Sequence, residues 1–350
     1  MAPLQNARVL FNAIPADYPI PGETTVYDTS QTMDVENVSL NGGILIKVLL
    51  LSVDPYLRGR LRAAEIESYM PAFTLGQPLH SHGIGVVLRS EFPGVEAGTH
   101  VFGILLHQEY MIVASLESAS APGVAIANLE VIERNPRLDW SVYLGAAGMP
   151  GQTAFMGWWE YSEAKKVAFI STGAGSVGAL VIQIAKQDGL KVIASAGTEE
   201  KVKFMKELGA DVAFNYKSTD VRTVLAKEGP IDIFWDNVGG DTLDAAMEFA
   251  NNHARFIECG QISGYNHGFQ PMKNPGLIFG KCLHIHGFLL GYLRHKHLTA
   301  FSTEVMPKLI SGELKYREDI TRGLDKVGDV ILAVQKGENT GKAIVRVADE

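Results

Sequence analysis

The sequence predicts an α/β protein in which a doubly wound parallel sheet is joined to a β-rich domain. Three observations predict it. Apolar runs and helical patterns alternate after about residue 140, a glycine-rich loop stands between the first such run and its helix, and the first third of the chain instead carries short strand-like runs between Pro and Gly clusters.

The early runs are "ILIKVLLLSV" (44–53), "GIGVVL" (83–88), "HVFGIL" (100–105) and "EYMIVA" (109–114), with turn-rich stretches such as "EFPGVEAGT" between them. Further on, "KVAFIST" (166–172) leads into "SVGALVIQIAKQDG", where Val177, Leu180, Val181, Ile184 and Ala185 recur at helical spacing and Gly189 supplies a stop. The rhythm repeats in "KVIASAG" then "EEKVKFMKELG", and in "IDIFWDNVG" then "DTLDAAMEFANN"; "RFIECG" and "LHIHGFLL" add two strands. Beyond about residue 303, "FSTEVMPKLISGEL" reads as helix and "GKAIVRV" (341–347) as a last strand returning to the first domain. The expected division is therefore residues 1–135 with 304–350, and residues 136–303.

Composition narrows the function. The 350 residues, 46% apolar, are an ordinary complement for about two globular domains. A net charge of −8 leaves no basic surplus for a nucleic-acid partner, although one small anion could still find a local basic pocket. Cys259 and Cys282 are too few for a disulfide framework or a four-thiolate zinc lobe, which suits a reducing, intracellular setting. No secretory pattern opens the chain, and "GILIKVLLLSV" is broken by charge well short of a membrane span, so a cytoplasmic protein without membrane contact is expected.

The loop "TGAGSVG" places Gly173, Gly175 and Gly178 as G-x-G-x-x-G between strand and helix. A tight turn, a close backbone approach and helix packing each need a residue without a side chain there, and the helix N-terminus then faces a pyrophosphate, as in a Rossmann nucleotide-binding domain. A NAD site would add an acid about twenty residues on, at the end of the next strand. Here that strand ends in Ala196-Gly197-Thr198, which is uncharged. Glu199 and Glu200 suit a helix N-terminus, Thr198 can cap it, and Lys201 can pair with a 2′-phosphate, so NADP(H) is the expected cofactor.

The stretches "LLSVDPYLRGR" (50–60), "GAAGMPGQTAFMGWWEY" (145–161), "AGTEEKVKFMKELGADVAFNYK" (196–217), "DNVGGDTLDAAM" (236–247), "ECGQISGYN" (258–266) and "GENTGKAIVRV" (337–347) occur in order along nearly the whole chain. Together they resemble the zinc-independent alkenal/enone double-bond reductases of the medium-chain dehydrogenase/reductase superfamily. The resemblance implies a GroES-like substrate domain beside the Rossmann domain, and NADPH-dependent reduction of the carbon–carbon double bond next to a carbonyl. It further implies that Lys201, Tyr216 and Asn339 hold the 2′-phosphate, and that Gly175, Ser176, Val177 and Gly178 cradle the pyrophosphate. Asn237, the run that includes Cys259, Gly260, Ile262 and Tyr265, and Phe288, Leu289 and Leu290 would line the ribose and nicotinamide. Tyr56 and Tyr265 would stand near a small-molecule enone substrate, and a homodimer extending the sheet through "LHIHGFLL" is implied.

Conjugate reduction gathers charge on the carbonyl oxygen, so a neutral donor must meet that oxygen and a proton must reach the α-carbon. A phenol serves at pH 7. Tyr265 is the candidate donor and Tyr56 the candidate positioning group; the alternative for both is a half-buried core tyrosine with a polar tip. Quinone reduction would need the same cofactor and less of Tyr265, and a non-catalytic NADPH-binding protein would keep the glycine loop. Zinc chemistry would need Cys and His ligands in the first domain, where His80 and His82 alternate on one strand but no cysteine occurs. His284 and His286 read as structural, and His295 and His297 as a solvated loop or an interface. His82 and "GTHVFG" depart from the family's usual pattern in the substrate domain, which bears on substrate more than on cofactor, and the pair Trp158-Trp159 is bulkier than that pattern.

Overall fold

The structure, a computed structural model, describes residues 3–121, 124–127, 129–163 and 165–350, with only the backbone of 118–121 and 124–127. Residues 1–144 and 318–350 form one compact body and residues 145–317 another.

In the first body, seven strands make one mixed sheet in the order Glu130–Val131, His100–Leu106, His80–Ser90, Ile44–Ser52, Lys342–Arg346, Glu318–Arg322, with Tyr110–Val113 also pairing Ile44–Ser52. The strand Ile44–Ser52 is almost wholly buried, which is why it reads as an unbroken apolar run rather than an alternating one. Lys342 reaches under it: its buried ammonium donates to Asp54 Oδ1 at 3.0 Å and to the carbonyls of Val53 and Ala343. Gln335 Nε2 donates to the carbonyl of Pro55 at 3.0 Å. These bonds pin the turn before the short helix Leu57–Arg60, whose N-cap is Tyr56.

The second body holds α1 (Met149–Tyr161), β1 (Val167–Ile170), α2 (Gly178–Gln187), β2 (Lys191–Ala196), α3 (Glu199–Glu207), β3 (Val212–Asn215), α4 (Val221–Glu228), β4 (Ile231–Asp236), α5 (Gly240–Glu248), β5 (Ala250–Glu258), β6 (His284–Gly287) and α6 (Leu290–Ser311). All six strands are parallel, in the order β3-β2-β1-β4-β5-β6. This is a doubly wound sheet whose strand order reverses between β1 and β4, and ligands of such sheets bind at that reversal. Phe169, Ile193, Phe234 and Phe256 fill the core between sheet and helices.

Three segments differ from the sequence expectation. The helix read into "DTLDAAMEFANN" stops at Glu248, because "ANN" already belongs to β5. The strand read into "LHIHGFLL" stops at Gly287, and Leu290 begins a helix of 22 residues. That helix takes in His295 and His297, expected in a loop, and it lies whole in the second body across the expected 303/304 division. His297 Nε2 meets Glu160 Oε2 at 2.6 Å, tying α6 to α1.

Candidate functional site

The glycine loop shows a division of labour. A Cβ on Gly173 would stand 2.7 Å from Met205 Sδ and 3.0 Å from Ala194 Cβ, and one on Gly178 only 2.4 Å from the carbonyl oxygen of Thr172. On Gly175 the nearest atoms would be 3.2 Å away and belong to Thr172 alone. The outer two glycines therefore let α2 close on β1 and β2, whereas the middle one leaves its outer side open for a ligand. The amides of Ser176 and Val177, at the N-terminal end of α2, meet no backbone acceptor among the described residues, the arrangement that receives a phosphate. Gly178→Ala is expected to abolish dinucleotide binding and to lower stability by about 1–3 kcal/mol through overpacking, read by fluorescence titration and by the melting temperature.

Beside the end of β2, both acids are held by partners of their own. Glu199 Oε1 accepts from Asn215 Nδ2 at 2.9 Å, and Glu200 Oε1 takes the Arg317 guanidinium at 3.4 Å. Thr198 caps α3 by accepting from the amide of Lys201 at 3.3 Å, which sets Lys201 in the first turn. Tyr216 Oη and Lys217 Cε lie 3.0 and 3.2 Å from where a Cβ on Gly197 would be. Lys217 escaped the sequence reading: it follows a strand end, and only the fold of β3 against β2 brings its stem across Gly197.

At the ends of β4 and β5 two loops are sewn together. Cys259 and Gly260 donate their amides to the carbonyl of Asp236 at 3.0 and 3.1 Å, Ile262 to that of Asn237 at 3.2 Å, and Ser263 to that of Val238 at 3.1 Å. Asn237 is fixed by Ser171: its backbone amide donates to the Ser171 hydroxyl oxygen at 2.8 Å and its Nδ2 donates to the Ser171 carbonyl at 2.6 Å. Tyr265 sits on the short helix Gly264–His267 with its ring edge-on to Phe269, centroids 6.3 Å apart. Its hydroxyl is 3.2 Å from where a Cβ on Gly260 would stand. The Cys259 thiol is pushed up to about 12 by burial and by Asp236 and Glu258, so it is no nucleophile at neutral pH. Phe288 packs its ring on Trp235 and Tyr161, through a gap that Gly157 leaves open. Leu289 caps α6 and Leu290 begins it. Trp158 is buried and donates to Asp188 Oδ2 at 2.7 Å, whereas Trp159 is exposed.

Asp236 and Glu258, absent from the sequence reading, end adjacent strands in direct register. Asp236 Oδ1 accepts from the amides of Val238 and Gly239 at 2.7 and 2.9 Å and from the Ser171 hydroxyl at 3.2 Å. Burial, with Glu258 alongside, raises its carboxyl to about 7.

In the first body, Tyr56 Oη is sealed from solvent without a hydrogen-bond partner among the described residues, and burial together with Asp54 raises its pKa. Asn339 donates Nδ2 to the carbonyl of Gly341 at 2.7 Å in the turn before Lys342–Arg346. His80 is buried against Arg60 and edge-on to Phe73, and His82 stacks on Phe102 at 5.6 Å. The two do not converge on a common ligand. Among the described residues no group of three or more His, Cys, Asp and Glu side chains is placed to hold a metal ion. His286 stacks on Tyr161 and bonds Arg255 NH1 at 3.0 Å, and His284 lies parallel to it at 6.3 Å. No helix among the described residues is long and apolar enough to cross a membrane.

Comparison with known proteins agrees with this geometry. The family described as zinc-binding dehydrogenase matches residues 176–305, and the N-terminal domain of oxidoreductase matches residues 26–120. An NADP-dependent oxidoreductase of Cochliobolus heterostrophus is 34% identical over 99% of this chain and 98% of its own. A 2-alkenal reductase (NADP(+)-dependent) of Nicotiana tabacum is 33% identical over 93% of this chain and 95% of its own. Among solved structures, CurA of Vibrio vulnificus in complex with NADPH superimposes with a TM-score of 0.85 at 27% identity, covering 98% of this chain and 100% of that one.

Proposed function

The chain belongs to the double-bond reductases of the medium-chain dehydrogenase/reductase superfamily, and on that premise we propose that it reduces the carbon–carbon double bond of α,β-unsaturated aldehydes and ketones with NADPH. The observation that carries the cofactor is the acid-free end of β2: Glu199 and Glu200 are engaged by Asn215 and Arg317, while Lys201, Tyr216 and Lys217 belong to the same corner. A dianion there meets a phenol and a lysine stem beside Gly197, and the nearer acid already has its charge engaged by the Asn215 amide. The residues fit NADPH in a second respect, since Gly175 leaves room for a pyrophosphate that the helix end of α2 favours. Asn237, Cys259, Gly260, Ile262 and Phe288 to Leu290 line the ribose and nicotinamide.

When bound, NADPH supplies the hydride that the substrate's β-carbon receives. Tyr265 donates its hydroxyl to the carbonyl oxygen, where negative charge accumulates, and so stabilises the enolate. Tyr56 orients the substrate: a buried hydroxyl without a partner costs about 1–3 kcal/mol, which a ligand oxygen relieves. No metal is assigned a part, because among the described residues no third ligand stands beside a histidine pair. The active form is a cytoplasmic homodimer joined through the open edge of β6, a strand on which Ile285 is exposed.

Lys201→Ala is expected to raise the KM for NADPH about ten- to a hundredfold, the loss of one charged hydrogen bond, with NADH kinetics nearly unchanged. The assigned activity is tested by NADPH oxidation against alkenals, cyclic enones, aryl enones and quinones. Turnover with enones is expected; turnover confined to quinones, or to NADH, would overturn the assignment.

A further inference from the structure

The pair Asp236 and Glu258 has no place in the chemistry above, yet its position is telling. Both side chains leave the C-terminal ends of adjacent parallel strands at the same register, so they rise on the same side of the sheet. Asp236 is fully buried, and Glu258 Oε1 is shut from water with no hydrogen-bond partner among the described residues. The remaining Glu258 oxygen, Oε2, accepts from Gln261 Nε2 at 3.0 Å. Gln261 in turn packs over Gly239, where its Cβ would be 2.8 Å from a side chain at that position. One carboxylate thus grips the loop after β4 through the amides of Val238 and Gly239, and the other grips the loop after β5 through Gln261. Those loops carry Asn237 and Tyr265.

The groups that face the pair are few. From β1 comes the neutral Ser171, from the end of β5 the Cys259 thiol, and from the following loop the neutral Gln261. Among the described residues no cation figures among the groups acting on either carboxyl. Two carboxylates in register on neighbouring strands, one wholly buried and the other with an oxygen shut from water, resist being ionised together without a counter-charge. We propose that Asp236 and Glu258 hold one proton between them at neutral pH and that this proton keeps the two loops closed, which makes Glu258 a positioning residue for the nucleotide and for Tyr265. Loss of that proton puts two like charges at the seam between the loops and loosens the backbone bonds that join 259–263 to 236–238. The consequence for nucleotide affinity rests on the NADPH reading; the consequence for the loops of the empty protein does not.

The test uses the full-length protein in two measurements, each at several pH values from 6 to 8.5. Hydrogen exchange of the ligand-free protein is followed at the amides of Cys259, Gly260, Ile262 and Ser263, and the Kd for NADPH is measured by fluorescence titration. Wild type is expected to lose protection at these four amides as pH rises, beyond the chemical acceleration seen at the amides of β1. Its Kd should rise about tenfold more than that of Glu258→Gln across the range, a comparison that cancels titration of the ligand's own phosphate. Glu258→Gln should hold protection nearly constant. Wild-type protection that tracks the β1 amides overturns the proposal without need of any variant, as does a Glu258→Gln protein with the wild-type pH dependence. Should NADPH fail to bind at any pH while the exchange transition is present, the proton-sharing pair stands and the cofactor reading falls.

Discussion

A Tyr265→Phe enzyme is expected to lose about a hundred- to a thousandfold in kcat on an enone, the usual consequence of removing one preorganised oxyanion donor. Its KM for NADPH should barely move. The physical reason is that the phenol is aimed rather than merely present. Its short helix follows the Gly260–Ser263 segment, whose amides are held by the carbonyls of Asp236, Asn237 and Val238, and its ring is held edge-on by Phe269. Removing the hydroxyl leaves that scaffold intact, so the loss falls on the transition state and not on binding. Steady-state kinetics on one cyclic enone and one alkenal check this; a full-rate variant would remove Tyr265 from the reaction.

Acid is expected to destabilise the first body steeply, and at a higher pH than carboxylate titration would. His80 and His107 are buried, and burial with the Arg60 guanidinium nearby lowers both to about 3. Ser81 Oγ bonds His107 Nε2 at 2.9 Å. Both rings are neutral in the folded protein, while in the unfolded chain they take protons near pH 6.5. Their contribution is whole above pH 6.5 and is lost as pH falls toward 3. At pH 5 each costs about 2 kcal/mol, so the pair removes about 4 kcal/mol, a large fraction of a domain's stability. Denaturant unfolding at pH 7 and pH 5 reads this directly. A doubly substituted His80→Gln, His107→Gln protein should show a much smaller difference between the two pH values, whatever its stability at pH 7. The carboxyls of Asp236 and Glu258, which burial raises, act in the opposite sense on the second body: the contribution of Asp236 is whole below about pH 4 and is lost as pH rises through about 7, and Glu258 acts in the same direction.

Much of the second body was legible because its central strands are buried on both faces. "KVAFI", "KVIASA" and "IDIFWD" appear as short apolar runs, and each is followed by a helix whose apolar spacing or cap is local. The helix Leu290–Ser311 was not, and its burial shows why. Its inward residues are Leu293, Phe301, Val305 and Leu309, so the first two turns offer a single core contact among His, Lys, Arg and Gly, and the helical period becomes visible only in the second half. The polar ion pair of His297 with Glu160, which the sequence cannot pair, substitutes for apolar contacts there.

The candidate site divides along the same line. Gly175 and Gly178 in the β1–α2 unit, and Thr198 and Lys201 in the β2–α3 unit, act through local backbone geometry, and local spacing is what a sequence displays. Lys217, Asp236 and Glu258 acquire meaning only from strands adjacent in space: Lys217 through β3 lying beside β2, and the two acids through the register of β4 with β5. A lone acid at a strand end reads as the start of a turn, which Asp236 also is.

The reaction itself is tested most directly by supplying NADPH with deuterium in its transferable position, together with an α,β-unsaturated ketone, and locating the label in the product. The account predicts a saturated ketone with deuterium on the carbon that was β to the carbonyl. An allylic alcohol with deuterium on the former carbonyl carbon would contradict it.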